Sequence, residues 1–97
     1  MAVDYEQAHK VVRDSLQSEW RWGTFCLDDR HIVENDELFV FNVGARELLI
    51  DRDFSYAVST AVSVVYKNDG RLAALPSSTV GLDPTMRVRP NPNPTVG

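Results

Sequence analysis

A single cysteine, Cys26, stands in the 97 residues. It has no partner within the chain for a disulfide, and such cysteine usage fits a reducing compartment, the cytoplasm. Basic residues are also scarce: 10 Lys and Arg face 14 Asp and Glu, leaving a net charge of −4 and a pI near 5.0. A chain of that balance lacks the positive field that gathers phosphate backbones, so no nucleic-acid partner is expected. Long apolar runs are missing. The longest, around Val62–Tyr66 and Leu38–Phe41, have strand length, far below the roughly 18–20 residues that cross a bilayer. The opening MAVDYEQAHK carries acids early and no apolar stretch, unlike a secretory leader. Gly23, Gly44, Gly70 and Gly81 are isolated from one another, so no glycine-rich loop is available to cradle a phosphate.

Hydrophobic residues make up 43% of the chain and charged residues 25%, enough for one core but not two. The organisation expected is a single domain over residues 1–82 and an extended or disordered proline-rich tail over 83–97.

Asp4 to Trp20 reads as a helix. Asp4 can cap it, Gln7 stands three residues on as in a capping box, and Val3 and Ala8 occupy staple positions. Tyr5, Ala8, Val12, Leu16 and Trp20 recur at spacings of three and four, with Val11 widening the stripe. His9 falls on the polar side and is expected at the surface. Gly23–Asp28 alternates like a strand, and Asp29-Arg30-His31 either continues it or turns. Leu38–Val43 (LFVFNV) is β-branched and aromatic on both faces, the pattern of a central strand. Gly44 permits a bend or bulge. Ala45–Asp51 reads as a further strand or a short helical turn, and Asp53–Ser59 as a connection with a turn capped by Asp53. Val62–Lys67, Asn68-Asp69-Gly70 and Arg71–Leu75 make a β-hairpin, with Asp-Gly supplying positive-φ positions. Ser77-Ser78-Thr79 and Gly81 look like loop. One helix followed mainly by strands predicts an α+β fold: an N-terminal helix packed on a twisted, mainly antiparallel sheet.

Reactive constellations are poor. Cys26 could pair only with His9 or His31, and its apolar strand context beside Asp28 and Asp29 raises a thiol pKa, the wrong direction for a nucleophile. Neither His31 with Asp28 and Asp29 nor Glu34, Asp36 and Glu37 has the spacing of a zinc or EF-hand site. No metal, cofactor or catalytic activity is expected. Charge, by contrast, is uneven. Asp28, Asp29, Glu34, Asp36, Glu37, Glu47, Asp51 and Asp53 face only Arg30, Arg46 and Arg52, a net of −5 between positions 28 and 53, while the stretch from Met86 onward has Arg87 and Arg89 and no acid. Trp20 and Trp22 bracket Arg21; in extended chain their indoles point the same way, as core or as an interface anchor.

The run LFVFNVGARELLIDRDFSYAV followed by TAVSVVYKNDGRLAALP resembles the immunity protein 35 family of bacterial polymorphic-toxin systems. The features that carry the resemblance are Phe39 and Phe41, Gly44 and Ala45, Leu48 and Leu49, Asp51 and Asp53, Val62 to Tyr66, and Lys67 to Gly70, over roughly Val3 to Pro76. Ser59-Thr60-Ala61 departs from the family's small-residue-plus-Gly step, and the proline-rich tail has no counterpart. The resemblance implies a cytoplasmic antidote that binds a cognate toxin domain of the same cell and blocks its active site or substrate groove; peptidase-like domains are among the toxins of that family. The residues expected to contact such a partner, a protein of basic surface, are Trp22, Asp28, Asp29, His31, Glu34, Asp36, Glu37, Glu47, Asp51 and Asp53. The rival expectations are a small homodimeric adaptor joined through a sheet edge, and a small-ligand binder anchored by Arg46 or His31.

Overall fold

The first helix begins where its capping residues place it. In a computed structural model, which describes residues 2–21, 23–56 and 61–95, the Gln7 backbone N–H donates to Asp4 Oδ1 at 2.8 Å and the Asp4 N–H donates to Gln7 Oε1 at 2.9 Å. This reciprocal pair satisfies two of the free donors of the first turn. Helix α1 spans Tyr5–Leu16 and ends in a 3-10 turn at Gln17–Glu19, shorter than the expected run to Trp20. Trp20 then leaves in extended conformation and packs edge-on against Phe25, 5.7 Å between ring centres. Trp22 lies outside the described residues.

Five strands follow: β1 Phe25–Glu34, β2 Leu38–Ala45, β3 Ala61–Tyr66, β4 Leu72–Pro76 and β5 Arg87–Pro90. They form one antiparallel sheet in the order β4-β3-β2-β1-β5. Short helices interrupt the chain at α2 Arg46–Leu49 and α3 Ser77–Gly81. The α+β architecture predicted from the sequence, an N-terminal helix on an antiparallel sheet, is the one observed.

The core lies between α1 and the sheet. Ala8 and Val12 from the helix meet Leu27, Phe39, Phe41 and Val65 from the strands, and all are buried. Cross-strand partners share a face, so the pairs Leu27–Val43, Phe39–Val65 and Phe41–Ser63 define the helix side. Burying side chains such as Phe41, Leu27 and Val65 contributes roughly 1.5–3 kcal/mol each. Tyr5 stacks on Phe41 at 5.5 Å and meets Phe39 edge-on at 5.6 Å. On the opposite face Leu49 of α2 lies against Gly44: a Cβ added there would touch it at 3.4 Å. Gly44 therefore marks a close approach within a continuous strand rather than a bend. Cys26, opposite Gly44 in the register, is fully buried at the same place.

Several local expectations change. Strand β1 runs six residues past Asp28. Its pairing with β2 shifts register between Asp28 and Val33, so that residues 29–32 stand opposite Phe41 alone. This bulge breaks the alternation that marks a strand in sequence. The β3–β4 connection, Lys67–Arg71, is five residues long, and within it only Gly70 takes positive φ, at 74°. The Gly70 N–H donates to the Tyr66 carbonyl at 2.8 Å and the Tyr66 N–H to the Arg71 carbonyl at 2.9 Å. That is an i→i+4 turn closed by a left-handed glycine, not a two-residue primed turn. The expected loop at Ser77–Gly81 is one helical turn. Within the stretch expected as a tail, residues 87–90 pair with β1 as an edge strand. The second half of the expected connection at Asp53–Ser59 lies outside the described residues.

Candidate functional site

The bulge in β1 turns Asp29 inward, beneath the first half of α1. The residue is 2% exposed, and a carboxylate in such a position needs donors. They come from both ends of the chain. His9 Nε2 lies 3.1 Å from Asp29 Oδ2. A carboxylate only accepts, so this nitrogen carries the proton. From the C-terminal end, the Thr95 N–H donates to Oδ1 at 2.9 Å and the Thr95 hydroxyl to Oδ2 at 2.7 Å. The Asn91 side-chain amide donates to the Asp29 carbonyl at 2.7 Å. These residues, with Tyr5, Ile32 and Arg89, line a cavity of about 410 Å³ between α1 and the C-terminal segment. Burial, and secondarily the charge of Asp29, pushes the Tyr5 hydroxyl up to about 12, against a smaller downward pull from Arg89. His9, expected at the surface, is instead half-buried in this contact, because its ring also meets Phe41 edge-on at 6.2 Å.

One turn further along β1, Glu34 is held by three cations. Lys67 Nζ donates to Oε1 at 2.9 Å and an Arg89 guanidinium N–H to Oε2 at 3.1 Å, while Arg87 approaches to 4.0 Å. Arg87 also donates to Asp36 at 3.2 Å. Lys67 lies over the Phe39 ring, 4.6 Å from its centre. Burial pushes the Glu34 carboxyl up, but the hydrogen bonds and charges of Lys67 and Arg89 outweigh it and hold it below the usual range. Asp36 is 94% exposed. Asp36 and the exposed Glu37 line a cleft of about 250 Å³ with Tyr66 and Asn68, where the two hairpin turns lie side by side.

Asp28 points to the other face. Arg30 grips it with two N–H donors at 2.8 and 2.6 Å, the main reason its carboxyl lies below the ordinary range. His31 is exposed there and lines a cleft of about 190 Å³ with Asp28, Val33, Val40, Asn42 and Val62. At the far end of β2, both Glu47 oxygens accept the Thr24 N–H at 3.0 and 3.1 Å, which ties α2 to the entrance of β1 and lowers the Glu47 carboxyl. Asp53 accepts from the Ser55 N–H and hydroxyl at 3.1 and 2.6 Å and is lowered by them, the capping role expected of it. Asp51 is exposed, and Phe54, 74% exposed, follows.

The expected contact residues thus fall in separate places. Asp36 and Glu37 share the turn end with Glu34. Asp29 is buried beneath α1 and the C-terminal segment. Asp28 and His31 lie on the second face. Glu47, Asp51 and Asp53 sit at the opposite end, separated by the eight residues of β2, about 25 Å of strand. Lys67, Arg87, Arg89, His9, Asn91 and Thr95 were not among the expected residues. The opposed charges of residues 28–53 and of the stretch after Met86 are the signal in the sequence by which the two arginines could be joined to the acids.

Among the described residues no three His, Cys, Asp or Glu side chains are placed to hold a metal ion, and no helix is long and apolar enough to cross a membrane. Burial pushes the Cys26 thiol up, an effect that outweighs the downward pull of Arg46. No protein-family model, curated protein or solved structure matches the chain.

Proposed function

We propose that this chain is an immunity protein: in the cytoplasm of a bacterial cell it binds a cognate toxin domain and neutralises it by covering the active site or substrate groove. The observation that carries the reading is the acidic end of β1. Glu34, Asp36 and Glu37 stand together there, and the cations that meet Glu34 and Asp36 come from distant parts of the chain, Lys67, Arg87 and Arg89. A surface built to pair with basic groups fits a partner of basic surface, whose approach a protein of charge −4 accelerates. Binding of this kind needs complementarity rather than a nucleophile, and the one thiol is buried. The exposed Asp36 and Glu37 are the contact residues this reading favours; Asp51 and Asp53, with exposed Phe54 beside them, form a second, separate patch.

The direct test is co-expression with the toxin domain encoded by the adjoining gene. The reading expects survival of the cells and recovery of both proteins as one complex. Survival without a complex, or a complex that leaves the toxin active, contradicts it. A second reading, a homodimeric adaptor, rests on β4: this edge strand, LAALP, carries no charged side chain, and uncharged edges invite pairing. Sizing of the purified chain separates the two: the immunity reading needs no self-association, whereas the adaptor reading requires a dimer.

A further inference from the structure

Strand β5 is held differently from the rest of the sheet. All four of its residues are exposed, Val88 to 65%. It contributes no buried apolar side chain. What keeps it in place is its ladder with β1, from His31–Pro90 to Glu34–Arg87, the contacts of Arg87 and Arg89 with Glu34 and Asp36, and the anchor of Asn91 and Thr95 on Asp29. Segments held by exposed backbone bonds and ion pairs open at lower free energy than segments held by core packing.

We propose that residues 87–95 are a displaceable strap: the chain's own basic strand occupies the β1 edge in the way a basic strand of the partner protein does when it binds. This rests on the protein-binding reading above and names the surface and the partner's chemistry. The incoming segment is extended and antiparallel to β1, since an open edge recruits a strand through its backbone groups. It carries cationic side chains on alternate residues, taking the places of Arg87 and Arg89 against Glu34 and Asp36. Six residues after the second cation it carries a Ser or Thr, as Thr95 follows Arg89. The last requirement is the selective one. Asp29 is 2% exposed, and a segment that fits the acids but brings no N–H and O–H to this carboxylate leaves a buried charge short of donors. Strap and partner then compete for one edge, so that the edge is never left open to non-specific pairing.

The experiment uses the full chain. Hydrogen exchange should show the amides of Arg89, Asn91 and Thr95 exchanging at least about tenfold faster than those of Phe39 and Val65, the order expected of a sub-global opening. Protection equal to the core overturns the proposal. A fluorescent synthetic peptide of residues 86–95 is then added in trans and followed by polarisation. It should bind the chain carrying Arg87→Glu and Arg89→Glu about tenfold more tightly than the wild-type chain, whose own strap competes, and the same peptide with both arginines changed to glutamate should not bind. Failure of the wild-type peptide to bind either chain overturns the proposal, as does equal binding of the two peptides. If the doubly substituted chain does not fold, exchange on the wild-type chain decides. Peptide exchange without toxin binding removes the immunity reading and leaves the strap; toxin binding without peptide exchange removes the strap alone.

Discussion

An amide in place of the Asp29 carboxylate (Asp29→Asn) keeps the shape but removes the charge that two Thr95 donors and His9 address, and turns an NH₂ toward at least one of them. The cost expected is about 1–3 kcal/mol, the range for a buried hydrogen-bonding group left mismatched. Urea unfolding checks it; a midpoint equal to wild type contradicts the anchoring role. Glu34 offers a test by pH. Its carboxyl ionises more readily in the folded chain, so its contribution is full above the unfolded value of about 4.3 and is lost as pH falls through that value and below. Asp28, lowered mainly by Arg30, acts in the same direction. The urea midpoint should therefore decline as pH drops below about 5, and Glu34→Gln should make that decline shallower. Equal slopes in the two proteins contradict the pairing. Cys26, fully buried with its thiol pushed up, should resist an aromatic disulfide reagent in native buffer and react stoichiometrically in urea; rapid native reaction contradicts the packing against α2.

At the scale of elements, what the sequence disclosed depends on range. The capping box at Asp4 and Gln7, the stripe through Ala8 and Val12, the run at Leu38–Val43 and the β3–β4 hairpin all rest on neighbours in the chain, and each appears where local pattern puts it. The full length of β1 did not appear, because the bulge at residues 29–32 destroys its alternation. Strand β5 did not appear either: Pro90 and the prolines after it read as tail, though a proline is tolerated at an edge. Serines and a threonine gave no warning of α3. The turn closing β3 and β4 can be tested directly. Gly70 sits at φ 74°, and an added Cβ would meet Val3 Cγ1 at 3.2 Å. Gly70→Ala should cost about 1–2 kcal/mol, as a left-handed conformation does for a residue with a Cβ, read as a lowered urea midpoint; an unchanged midpoint contradicts the turn assigned.

For the whole molecule, composition pointed to binding through negative charge, and the family resemblance to the kind of partner, more readily than either pointed to particular residues. The acidic excess and its concentration between positions 28 and 53 were visible; which acids remain available was not. Asp29 is taken up by residues 20 and 66 positions away, and Glu34 by residues 33 and 55 positions away. The pairings with Thr95 and Arg89 follow from the placing of β5 beside β1, and those with His9 and Lys67 from the packing of α1 on the sheet and the pairing of β3 with β2; no local pattern encodes either. What stays outward at the turn end is Asp36 and Glu37. The measurement that tests the account most directly is the rate of association with the toxin domain of the adjoining gene, by stopped flow at low and high salt. The wild-type rate should fall as salt rises, and Asp36→Lys with Glu37→Lys should slow association about tenfold or more at low salt and flatten the salt dependence. Rates that neither respond to salt nor change on charge reversal contradict the acidic end of β1 as the docking surface.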